Sequence, residues 1–155
     1  MDADEILNTC KDCMASCCKL GGADLTEAEM KNILDAGHAD NFMKVDKNHY
    51  EMKSIDGVCP YLHEENYCTI HQVRPTMCRC WPVDVQFEAR GKKFYINSCP
   101  LTKFYPEEEI KKSKEILKTV PDHFLTHGIE ESNLSEKDKN TIVRRYSKFK
   151  AKPID

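Results

Sequence analysis

The stretch NTCKDCMASCCKL, residues 8–20, places Cys10, Cys13, Cys17 and Cys18 within nine positions of an otherwise polar segment. Thiolates are the preferred ligands of zinc and of iron-sulfur clusters, and gathering several on one short segment lowers the entropy cost of assembling a site. Packing of small apolar side chains requires no such density. A lone C-x-x-C is weak evidence. Here it extends to C-x-x-C-x-x-x-C-C and is followed by Cys59, Cys68, Cys78, Cys80 and Cys99 over the next 81 positions. That combination points to metal, and it predicts a fold in which the N-terminal segment clasps the cysteine-rich middle.

Composition limits the rest. At 155 residues a single domain is expected, large enough for a hydrophobic core without covalent staples. A charged fraction of 32% and a net charge of -3 describe a mixed surface with no global field toward nucleic acid or membrane. No apolar run approaches a membrane span, and MDADEIL is acidic where a secretory signal is basic and then apolar, so a cytoplasmic location is expected. Nine cysteines are an odd number, and disulfides are rare in a reducing compartment, which argues against a disulfide framework.

The expected fold is α+β. Ile6, Cys10, Cys13 and Cys17 recur at a helical spacing that predicts one helix up to the stop at Gly21-Gly22. Thr26 and Glu29 form a capping box flanked by Leu25 and Met30, with Ile33 and Leu34 facing the core and Gly37 closing the helix. Between Ala39 and Ser98 the pattern becomes β and loop. HYEMKSI alternates, Asp56-Gly57 signals a turn, and YCTI and VDVQFEA read as strands, the latter joined through Arg90-Gly91 to KKFYINS. Pro106 opens a helix over EEEIKKSKEILKTV that ends before Pro121, and Ser135 begins a last helix with Ile142, Tyr146 and Phe149 on one face. Residues 1–100 are expected to form the metal-binding core, and 101–155 a helical extension packed on the same domain.

The spacing of the later cysteines lacks the paired grammar of zinc ribbons, while the two-then-three spacing of Cys10, Cys13 and Cys17 suits three corners of a cubane cluster. Neighbouring side chains on a helix diverge by about 100°, so Cys17 and Cys18 are expected to serve two centres or one large polynuclear centre. Four thiolates around Zn²⁺ or around a [4Fe-4S]²⁺ core leave the same residual negative charge, and Arg74 and Arg79 would neutralise it from nearby.

With GVCPYL and YCTI, the run IHQVRPTMCRCWP resembles the CxxCxxCC cysteine-cluster family of zinc- or iron-chelating domains over roughly residues 10 to 100. The resemblance implies ligand roles for Cys10, Cys13, Cys17, Cys18, Cys59, Cys68, Cys78 and Cys99, with Arg74, Pro75 and Arg79 as the associated signature. Cys80 departs from the pattern and its role stays open. The signature is also similar to a portion of the flagellin lysine methylases, where it is tied to an iron-sulfur centre, which favours iron. Methylase activity does not follow, because the chain has no Gly-rich dinucleotide loop.

The expected function is therefore an iron-sulfur protein that carries electrons or presents a cluster to a partner protein. The alternative is a zinc-binding structural or interaction module. His49, His63, His71, His123 and His127 sit in no Cys-His nucleophile pattern and read as solvated or core residues, with His63 and His71 the best auxiliary ligands. Seven basic residues between Lys137 and Lys152 read as the solvated face of an amphipathic helix rather than as a nucleic-acid site.

Overall fold

Six α-helices and two three-stranded antiparallel sheets make up the computed structural model over residues 2–127, 132 and 134–155. Each sheet carries its own apolar centre. The first sheet, order β1-β3-β2, is formed by β1 (Asp24–Leu25), β2 (Phe42–Asp46) and β3 (His49–Met52), and α2 (Glu27–Asp35) packs on it. Leu25, Ile33, Phe42, Met52, Tyr61 and Ile70 are buried there. The second, order β4-β5-β6, joins β4 (Val83–Glu88), β5 (Gly91–Asn97) and β6 (Ala151–Ile154), and it buries Cys80, Val83, Val85, Phe94, Leu117, Val120 and Phe124. No described helix is long and apolar enough to cross a membrane. All nine cysteines are free.

The α+β class is as expected. The capping box at Thr26 and Glu29 is present with both reciprocal bonds, and Gly37, at φ +90°, closes α2. The helix α4 (Glu107–Leu117) follows Pro106 and buries Leu117, and α6 (Glu136–Tyr146) is capped by Ser135 and buries Ile142. Of residues 101–155, positions 128–131 and 133 lie outside the described residues.

The N-terminal helix is shorter than its periodicity predicts. Helix α1 (Ala3–Asp12) stops at Cys13, and Met14 and Ala15 adopt left-handed conformations at φ +60° and +50°. The Ala15 amide donates to the Cys10 carbonyl and the Met14 amide to the Lys11 carbonyl, the paired bonds of a Schellman helix end. A 3-10 turn, Ser16–Lys19, then carries Cys17 and Cys18 in a new direction. Cys10, Cys13 and Cys17 thus do not share a helical face; a chain reversal joins them instead.

Other differences have local causes. HYEMKSI is a strand only to Met52, and its burial includes both His49 and Glu51, so a position read as polar faces inward. YCTI forms no named strand: Leu62 and Cys68 make an isolated bridge, and the Thr69 amide and hydroxyl both donate to the Tyr61 carbonyl, closing a tight loop. In the β4–β5 hairpin Glu88 pairs with Gly91, which leaves Ala89-Arg90 as the turn. Beyond β2, the sequence reading also missed α3 (Thr76–Cys80), α5 (Asp122–Thr126) and β6. Part of the basic C-terminal run, Lys152 included, is therefore in a strand, not on a helix.

Helix α3 positions the site because it touches both halves. At its start the Thr76 amide and hydroxyl donate to Glu29 on α2, at 2.8 and 2.6 Å, and at its end Cys80 is buried in the second core. Cys78 lies between them.

Candidate metal centre

Four segments deliver thiols to the seam between the two halves. Cys10 and Cys13 come from the end of α1, and Cys17 and Cys18 from the following turn. Cys59 and Cys68 flank the Tyr61 loop, and the Cys59 amide donates to the Cys18 carbonyl at 2.8 Å, tying the two segments together. Cys78 rides on α3. Cys99 precedes the 3-10 turn Pro100–Phe104, which packs against α1.

Two adjoining cavities gather them. One, of about 320 Å³, is lined by Cys10, Cys13, Cys17 and Cys99. The other, of about 240 Å³, is lined by Cys10, Cys17, Cys18, Cys59, Cys68 and Cys78. Every expected ligand cysteine borders one cavity or the other, and Cys10 and Cys17 border both. Cys80 borders neither, since its thiol points into the second core.

The Cys17–Cys18 pair needs a correction. Divergence on an α-helix was the premise for assigning them to two centres or one large polynuclear centre, yet they lie on a 3-10 turn. Cys17 borders both cavities and Cys18 borders the second alone.

Burial sets the protonation of the thiols. It pushes Cys10 up to about 12 and Cys59 to about 11, with neighbouring thiols adding to the rise. Cys78 is raised well above the ordinary value by burial and then by Cys59, Cys68 and Cys17. Cys17 is raised as well, first by the adjacent Cys18 thiol and then by burial. These are neutral thiols without a cation, so metal entry must release protons.

Arg74 opposes the rise at Cys10, Cys68 and Cys78, and it lines the same cavity, its Nε donating to the His71 carbonyl at 2.9 Å. Arg79 does not share this role: its side chain is exposed and donates to Thr76. Of the two candidate auxiliary histidines, His71 borders the cavity, whereas His63 stacks on Tyr67 away from it. Sequence reasoning missed Trp81. Its buried indole N–H has no hydrogen-bond partner, yet it lies close enough to the Cys99 sulfur to favour the thiolate. An orphaned donor beside a thiol fits a site that holds anionic sulfur when metal is bound. Arg145 was missed too; it donates to the Lys19 and Asp56 carbonyls, at 3.0 and 3.4 Å, and clamps α6 onto the cysteine turn.

No curated protein and no solved structure matches the chain. One family model, described as "CxxCxxCC: Putative zinc- or iron-chelating domain", matches residues 9–116, a span that holds all nine cysteines. With a donor set made of thiols around a shared seam and a family match over more than half its length, the chain belongs to the CxxCxxCC family, a metal-chelating domain family.

Proposed function

We propose that the protein binds iron-sulfur clusters and carries electrons or presents a cluster to a partner protein. The observation behind this reading is the gathering of eight thiols around two adjoining cavities that share Cys10 and Cys17. Cys10, Cys13, Cys17 and Cys99 form one quartet, and Cys18, Cys59, Cys68 and Cys78 the other. A Cys₄ zinc site with bonds of about 2.3 Å holds its sulfurs about 3.8 Å apart. Among the described residues, a trio of donor atoms within 4.8 Å occurs at Asp24, Glu51 and His127 and not among the cysteines. The wider spacing of the thiols favours polynuclear centres, whose irons stand between the sulfurs.

When bound, such clusters supply one-electron chemistry. The chain's own contribution is to hold the sulfurs, to place Arg74 against their charge and to set the Trp81 N–H beside Cys99. The cavity lined by Cys10, Cys13, Cys17 and Cys99 is also lined by Lys19, Arg145 and Lys148, a basic rim suited to an acidic redox partner. Nine unpaired thiols fit a reducing, cytoplasmic setting.

Anaerobic purification followed by iron, acid-labile sulfide and visible absorption measurements tests the reading. Brown protein with iron and sulfide in equal amounts is expected. Colourless protein that takes up stoichiometric zinc after anaerobic reconstitution would exclude it and leave a zinc-binding interaction module.

A further inference from the structure

The register of the first sheet places two carboxylates side by side. Asp24 on β1 pairs directly with Glu51 on β3, and like charges directly opposite each other on a sheet are destabilising unless something neutralises them. Glu51 is 7% exposed. Imidazoles surround the pair: His49 Nε2 lies 2.7 Å from Asp24 Oδ1, and His127 Nε2, at the end of α5, lies 3.2 Å from Glu51 Oε2. One donor atom each from Asp24, Glu51 and His127 fall within 4.8 Å of one another. All three residues line a cavity of about 350 Å³, and no cysteine lines it.

The geometry points to a second metal site, separate from the thiolates, in which Asp24, Glu51 and His127 bind one divalent first-row cation. The set is two carboxylates and one imidazole, hard and borderline donors that suit Mn²⁺, Fe²⁺ or Zn²⁺. Three protein ligands leave coordination positions that open on the cavity, where water or a small anionic ligand has room. His49 stacks on Phe124 with ring centroids 4.3 Å apart and is 1% exposed, so its hydrogen bond fixes the Asp24 carboxylate from behind. Binding replaces the contact between Glu51 and His127 with two bonds to the cation and releases any proton held there.

Mn²⁺ is the probe, because it avoids the thiolate centre that would capture Zn²⁺. The full chain, with its thiolate centre loaded anaerobically, is titrated with Mn²⁺ while the EPR signal of free Mn²⁺ is followed. One Mn²⁺ per chain is expected, with imidazole nitrogen coupling in pulsed EPR. Asp24→Asn and His127→Asn should each weaken uptake at least tenfold with cysteine-bound metal unchanged, and Cys78→Ser should leave uptake intact. Absence of uptake by the folded wild type, binding without nitrogen coupling, or undiminished, wild-type uptake by either variant overturns the site. The wild-type measurement decides even if a variant fails to fold. Iron and sulfide content in the same samples reports separately on the thiolate reading.

Discussion

Glu29 starts two helices at once. Its Oε2 accepts from the Thr26 amide at 2.9 Å, completing the capping box of α2, while Oε1 accepts from the Thr76 amide and hydroxyl at the start of α3. Since α3 carries Cys78, this one carboxylate fixes a cysteine against the first sheet.

Glu29→Gln has one acceptor oxygen for two helix starts, so one amide loses its partner. A loss of about 1–3 kcal/mol is expected. Burial raises the Glu29 carboxyl, but the bonds from Thr76 and Thr26 outweigh it and leave the group below its ordinary value of 4.5. A depressed carboxyl contributes stability above that ordinary value and loses it as pH falls through the folded value. Denaturant melts of wild type and Glu29→Gln should therefore differ at pH 7 and converge in acid. A constant difference across that range would contradict the assignment.

Cys80 and Cys78 are two residues apart on α3 but face different surroundings. Cys80 is 2% exposed among Val83, Leu117 and Phe124, and Cys78 lines the thiol cavity. Cys80→Ala should retain full metal content and cost about 1 kcal/mol in packing. Cys78→Ala should lose metal from its quartet. Metal analysis of both variants beside their melting curves checks this; metal loss in Cys80→Ala would make it a ninth ligand.

Gly22 is fixed by a neighbour rather than by its own conformation. A Cβ there would stand 2.2 Å from Met52 Cβ, an atom that cannot swing aside without moving β3. Its amide also donates to Ser54 Oγ at 2.8 Å. Gly22→Ala is expected to destabilise by about 3 kcal/mol and to loosen the turn bearing Cys18. Urea melts and cysteine alkylation rates would report both effects, and a stable variant with unchanged alkylation would refute the close approach.

Local signals were legible in the sequence. The Thr26–Glu29 box, the Ser135 cap and the alternation of β4 and β5 depend on neighbours within a few residues, and each formed as the sequence implies. The identity of the thiol-rich segments was equally plain. Their geometry was not, because Met14 takes the left-handed place usually held by glycine at a helix end, which hides the chain reversal. The reach of Glu29 to Thr76 and the pairing of Asp24 with Glu51 join residues 47 and 27 positions apart, beyond any periodicity. Strand β6 escaped notice for its length of four residues and its Pro153, which an edge strand tolerates.

Trp81 offers a test of the sulfur chemistry that leaves the fold alone. Its ring packs edge-on against Phe149, with centroids 5.4 Å apart, and phenylalanine can keep that contact. What Trp81→Phe removes is the indole N–H beside Cys99. A donor at a ligand sulfur stabilises the more negative, reduced state of a cluster, so its loss should lower the reduction potential. A difference of about 1 kcal/mol between the two oxidation states corresponds to about 40 mV for one electron. If the protein holds iron-sulfur clusters as proposed, redox titration followed by EPR should show one of two centres shifted downward, the one bound through Cys99. If neither potential moves while the variant keeps its iron, the N–H does not act on a ligand sulfur and Cys99 falls outside the quartet.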